Sequence, residues 1–170
     1  MGKIDLIQRI AAPPRQVFAF FVPQRMPYWY GAEMQSCFEV QDGASDFALG
    51  LKVRITGRIA GRALSHTAVV TGFDPARLLE WRFHDAHGVR GLERWQFEGT
   101  TLAPPPANET TACTLVRFMS EYEMPGQFGR WFDALFTRRA VTRRSREHLR
   151  RLADLVERKT APERSWSVAR

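Results

Sequence analysis

Apolar and polar residues alternate along most of the chain from Lys3 to Glu123. In Lys3–Ile10, Ile4, Leu6, Gln8 and Ile10 share one side, with Asp5, Ile7 and Arg9 opposite. That period of two marks a half-buried strand. "APPRQVFAFF" then brings prolines ahead of a dense apolar run, which predicts a short helix from about Pro14 to Val22. "VPQRMPYWYGAE" is broken by prolines and rich in aromatics, so it reads as a loop or one helical turn. Alternation resumes over Met34–Gln41. In Leu49–Ile59, Leu51, Val53, Ile55, Gly57 and Ile59 form one face. "ALSHTAVVTGF" is a further strand stopped by "DPAR". "LLEWRF" groups Leu79, Trp81 and Phe83. "VRGLERWQFEG" sets Gly91, Glu93, Trp95 and Phe97 against Arg90, Leu92, Arg94 and Gln96. "CTLVRFMSEYE" lines up Thr114, Val116, Phe118, Ser120 and Tyr122. Short strands at this spacing, joined by turns such as "DGASD" and "HDAHG", predict an antiparallel meander with one apolar face. "TTLAPPPANETT" is a polar, Pro-rich loop.

Such a sheet needs a cover, and the segment from about Gly126 to Lys159 can supply it as a long helix. At the helical period of about 3.6 residues, Val141, Leu149, Leu152, Leu155 and Val156 make one stripe. Arg139, Arg143, Arg146 and Arg150 fall roughly opposite, as a solvated outer face. Arg144 and Arg151 flank the stripe and can lay their stems along it. Arg138 lies inside the stripe and either snorkels outward or points inward to a partner. Phe128, Trp131, Phe132 and Leu135 centre elsewhere, so the first half of the helix bends or meets another surface. "TAPERSWSVAR" is expected to be a flexible tail, leaving one domain over residues 1–159.

Composition changes this picture in one respect. The 170 residues carry a net charge of +7, which invites a nucleic-acid reading. The charge is local, however: Met1–Gly129 holds 13 basic and 13 acidic residues, whereas Arg130–Lys159 holds 10 and 4. The protein is a neutral body with one basic helix. Exposed aromatics interleaved with basic residues, as single-strand binders use, are not evident in the pattern, and no partner helix for a DNA-reading motif is indicated. No specific nucleic-acid partner is expected, while contact of the basic helix with an acidic membrane surface or protein stays open. No apolar run reaches the ~18–20 residues of a membrane span. The N-terminus lacks the apolar core of a secretory signal. Cys37 and Cys113 show no metal or redox spacing. A cytoplasmic protein is therefore the expectation.

Phosphate-binding glycine loops, the G-x-S-x-G elbow and H-E-x-x-H are absent from the sequence. His84, Asp85 and His87 in "HDAHG" are read as a polar hairpin tip in preference to a metal site. Neither metal nor cofactor is expected.

The order of elements resembles a known family. "IAAPPRQVFAFF", "MPYWY", "FDPARLLEWRF", "RWQFEG", a Thr-rich strand ending "EYEMPG" and the terminal helix together resemble the START-domain and birch-pollen-allergen (SRPBCC) superfamily, within it the polyketide cyclase/dehydrase and lipid-transport group. The resemblance spans about residues 3 to 159. It implies an α+β helix-grip fold: a curved antiparallel sheet of six or seven strands around a long C-terminal helix, one or two short helices after the first strand, and an apolar cavity between. It also implies a small hydrophobic or amphipathic ligand, such as a lipid, polyketide or quinone-like molecule. Cyclase, dehydratase or hydrolase activity is the alternative, and an interaction module built on the basic helix a third. No catalytic signature defines the superfamily, so whether this chain is an enzyme stays open.

Candidate site residues follow from strand parity. Trp81, Phe83, Trp95, Phe118 and Trp131 are expected to line the cavity, with Glu93, Tyr122 and Arg138 as polar points. An inward Glu93 would be desolvated and pushed towards acid/base use; a one-residue bulge would turn it outward instead. Tyr122 either donates to a ligand carbonyl or anchors the core edge. Arg138 pairs with Glu93, binds an acidic ligand group, or snorkels. Trp29 and Tyr30 stand where the family fold has its cavity mouth, as core plug or ligand gate.

Overall fold

The computed structural model describes residues 2–59, 62–101, 112–125 and 138–160. Seven strands form one antiparallel sheet: β1 Gly2–Ile10, β2 Cys37–Val40, β3 Lys52–Ile59, β4 Arg62–Asp74, β5 Leu78–Asp85, β6 Arg90–Thr101 and β7 Ala112–Glu123. Their order is β1-β7-β6-β5-β4-β3-β2. The chain runs from β2 to β7 as a meander, and β1 joins at the β7 edge, with Gly2 opposite Tyr122 and Ile10 opposite Thr114. Helix α1, Pro14–Phe18, follows β1. Helix α2, Arg138–Thr160, packs on the inner face. This is the helix-grip fold.

Alternation decides which residues face inward. Thr114, Val116, Phe118, Ser120 and Tyr122 of β7 are all buried, as are Leu79 and Trp81 of β5 and Trp95 and Phe97 of β6. The β5–β6 and β6–β7 registers run without interruption through Glu93. The bulge that would have turned Glu93 outward is therefore not in β6. A register shift occurs instead in β4, between Val70 and Gly72.

Two expected boundaries move. The helix after β1 stops at Phe18 and continues in turns. The strand expected from Met34 begins only at Cys37, because Ala32–Met34 forms a 3-10 turn flanked by left-handed residues, Gly31 (φ 70) and Gln35 (φ 51). A second 3-10 turn, Met26–Tyr28, lies before it. Alternation cannot distinguish such a turn from an extended chain when Met34 is buried either way.

On α2, Leu149, Leu152 and Val156 are buried with Ser145, His148 and Ala153, and Val141 and Leu155 pack against the core. Arg139, Arg143, Arg146 and Arg150 are exposed. The part of the expected helix before Arg138, with Phe128, Trp131, Phe132 and Leu135, lies outside the described residues, as does the tail beyond Thr160.

Candidate functional site

The inner face of the sheet is built from aromatic rings because β5 and β6 place Trp81 and Trp95 on diagonal positions of one face. Their ring centroids are 4.5 Å apart. Phe118 on β7 packs 5.1 Å from Trp95. The loop after α1 adds Trp29 and Tyr30, with Tyr30 set edge-on to both Trp81 and Trp95. The Trp29 indole N–H donates to the Phe20 carbonyl, which fixes that ring as part of the core.

Glu93 stands within this shell, opposite Trp81 in the β5–β6 register. Its Oε2 accepts the Tyr30 hydroxyl at 2.7 Å and the Trp81 indole N–H at 3.2 Å. Part of the residue stays accessible, yet the carboxyl is enclosed deeply enough that burial pushes its pKa up to about 7, against the lowering effect of the Tyr30 and Trp81 hydrogen bonds. Tyr30 is pushed well above the usual phenol value, first by its own burial and then by Glu93, so it remains a donor. Both donors converge on Oε2. When Glu93 is protonated its proton therefore sits on Oε1, the oxygen with no hydrogen bond from the described residues.

The remaining predicted residues divide. Phe83 and Tyr122 line a groove of about 390 Å³ at the strand ends, with Gly91 on its floor and Arg82, Arg90, Glu121 and Glu123 among its walls. Tyr122 also lies over Gly2 of β1, where any side chain would strike its ring. Trp131 falls outside the described residues. Arg138 is exposed on α2 and makes no ion pair with Glu93 among the described residues. The carboxylate finds its partners in Tyr30 and Trp81 instead, because a neutral donor from an adjacent loop satisfies it without burying a second charge. Asp85 of "HDAHG" accepts the backbone N–H groups of His87 and Val89, and no metal-holding cluster occurs among the described residues.

Sequence reasoning missed His148. It lies seven residues after Val141 and four before Leu152, on the apolar stripe, and that position was the available signal. His148 is buried, its ring centroid 4.9 Å from that of Tyr30. Its Nε2 is 3.1 Å from both the Gly31 N–H and Glu33 Oε1. Trp29, Tyr30, Trp95, Phe118, Ser145, His148 and Leu149 close around a slit with no room for a water molecule.

The chain belongs to the family described as polyketide cyclase / dehydrase and lipid transport, whose model matches residues 1–157. No curated protein matches it. Among solved structures it is similar to protein CV1439 from Chromobacterium violaceum, with TM-score 0.61 and 18% identity over 92% of this chain and 99% of that one. It is similar also to Ara h 8.0201, with TM-score 0.60 and 12% identity over 91% and 96%. DynU16, a putative protein of the dynemicin biosynthetic locus, aligns with TM-score 0.60 and 16% identity over 92% of this chain and 48% of its own. Identities this low carry the fold alone. No helix among the described residues is long and apolar enough to cross a membrane.

Proposed function

We propose that the chain binds a small hydrophobic or amphipathic molecule of the lipid, polyketide or quinone-like class on the inner face of the sheet, with Glu93 as its polar anchor. The observation that carries this reading is a carboxyl group held by Tyr30 and Trp81 inside an aromatic wall. Isolated carboxyls in apolar surroundings are costly, and a free Oε1 offers a ligand oxygen or N–H the missing partner. The adjoining groove at Phe83, Gly91 and Tyr122 falls within the ~300–1,000 Å³ of small-molecule sites. Trp29, Tyr30, Trp81, Trp95 and Phe118 supply the apolar contact. The free cysteines Cys37 and Cys113 fit a reducing compartment, so a cytoplasmic location goes with the proposal. Native mass spectrometry of the purified protein tests it: a co-purified small molecule, or saturable binding of neutral Nile red, is expected. Chain mass alone together with no Nile red binding overturns it.

A second reading, an enzyme of the cyclase or dehydratase kind, is favoured by the value near 7 at Glu93. A group poised there can give a proton from Oε1 to a ligand oxygen, or take one, near neutral pH. Glu93→Gln separates the two. A carrier keeps its affinity for a neutral ligand, whereas an enzyme loses about 10²–10⁴-fold in rate with similar binding.

A further inference from the structure

We infer that Glu33 is the catch of a clasp: the Gly31–Ser36 turn, pinned to α2 by this side chain and by the Gly31 amide on His148, holds Tyr30 over Glu93 and must release for a ligand to enter between Tyr30, the sheet and α2. The inference rests on the ligand-binding reading above.

Four groups meet at the clasp. Glu33 Oε2 lies 3.0 Å from Arg151 Nη1. Its Oε1 lies 3.5 Å from Arg144 Nε and 3.1 Å from His148 Nε2. The same His148 nitrogen is in reach of the Gly31 N–H. One nitrogen cannot accept from Gly31 and donate to Glu33 at once. Burial keeps His148 below the usual imidazole range; Glu33 works against this and Arg144 and Arg151 with it. The neutral ring, protonated on Nδ1, therefore takes the Gly31 amide, and the two arginines hold the carboxylate. Burial alone would raise Glu33, but its backbone hydrogen bond and the Arg144 guanidinium work against that, and it stays ionised, below the usual carboxylate range.

The turn is tied together internally. Ser36 Oγ donates to the Tyr30 carbonyl at 2.6 Å, and the Ser36 N–H donates to the Gly31 carbonyl. Left-handed residues bound the 3-10 turn at both ends, Gly31 and Gln35. Tyr30 precedes Gly31 directly, so displacing the turn withdraws its hydroxyl from Glu93. Displacement is needed because the slit between Tyr30, the sheet and α2 has no room even for a water molecule, against the ~300 Å³ or more of a small-molecule site. The ion pairs themselves are inexpensive to break. The arginine side chains are one-third exposed, and such ion pairs contribute little singly. Arg151 also keeps a partner on its own helix, Glu147 at 3.1 Å.

Hydrogen exchange and stopped-flow binding of Nile red, a neutral probe that charge changes do not steer, test the clasp. Both are run on the wild type, Glu33→Ala and the Arg144→Gln/Arg151→Gln double variant. In the ligand-free variants the Gly31 amide is expected to exchange at least tenfold faster while Val70 and Trp81 amides keep their protection. Nile red association is expected to rise about threefold or more, with tighter apparent affinity because more molecules are binding-competent. Unchanged Gly31 exchange in both variants overturns the clasp. Faster Gly31 exchange with unchanged Nile red association also overturns it, and leaves ligand binding standing. No Nile red bound by any of the three proteins overturns the ligand reading, and the gate with it.

Discussion

The Tyr30 hydroxyl donates to Glu93 Oε2 at 2.7 Å, joining residues 63 positions apart in the sequence. The bond ties the loop after α1 to the middle of β6. It gives a buried carboxyl a donor that carries no charge of its own. It also makes the state of Glu93 sensitive to where the loop sits.

Replacing Glu93 by glutamine is expected to change the pH dependence of stability. The folded protein holds Glu93 near 7, above its ordinary value of 4.5. A group raised in this way stabilises the fold fully below 4.5, and that contribution is lost as pH rises through 7. Relative to Glu93→Gln, the wild type should therefore lose about 1.4 kcal/mol per pH unit across that interval, approaching about 3 kcal/mol in all. Thermal unfolding of both proteins at pH 5 and pH 8 reads the difference. Parallel curves at the two pH values would show that the carboxyl is solvated.

Tyr30→Phe removes a bond that favours ionised Glu93, so the carboxyl should titrate above about 7 in the variant. Losing a bond to an ionised group costs about 1.5–3 kcal/mol, so the loss of stability should be larger at pH 8 than at pH 5. Carbon-13 NMR titration of labelled glutamate side chains follows the shift. A downward shift would contradict the assigned role of Tyr30.

The inward face of each strand was legible because the pleat has a period of two and a buried sheet face tolerates little else. Parity alone placed Trp81, Glu93, Trp95, Phe118 and Tyr122. Partners across the fold were not legible in the same way. Arg138 was a natural partner for Glu93 on charge and helix position, yet the bond is made by Tyr30, whose loop has no periodicity. His148 shares the stripe of Leu152, but one polar residue on an apolar stripe carries no sign of which loop it meets. Glu33 carries no sequence signal for α2, since its contacts to Arg144, His148 and Arg151 depend on how the sheet curls.

Arg139, Arg143, Arg146 and Arg150 face solvent, and only Arg150 has an ion pair among the described residues, a long one of 3.9 Å to Glu147. Changing all four to glutamine should shift unfolding free energy by no more than about 0.5 kcal/mol per site. Binding to generic duplex DNA should be weak and salt-sensitive before the change and weaker after it. Fluorescence anisotropy over a salt series measures this. Tight, sequence-selective binding by the wild type would show that the basic face is a reading surface.

Gly91 is expected to be the least replaceable position of the groove floor. A Cβ there would collide with the Glu121 carbonyl of the paired strand and would approach the Phe83 ring at 2.6 Å. The ring can turn aside, but the carbonyl belongs to the β6–β7 ladder and cannot move without breaking register. Overpacking of this kind costs about 1–3 kcal/mol. Gly91→Ala should lose that much in denaturant unfolding, and the displaced Phe83 ring should weaken Nile red binding in the groove. Gly99→Ala on the same strand is the control, because its Cβ would meet only the Pro14 ring, at 3.3 Å. The control should cost less than about 1 kcal/mol, since one side chain has to give by only a few tenths of an ångström. Equal stability of Gly91→Ala and wild type would mean that the strands at this end of the sheet are farther apart than the register requires.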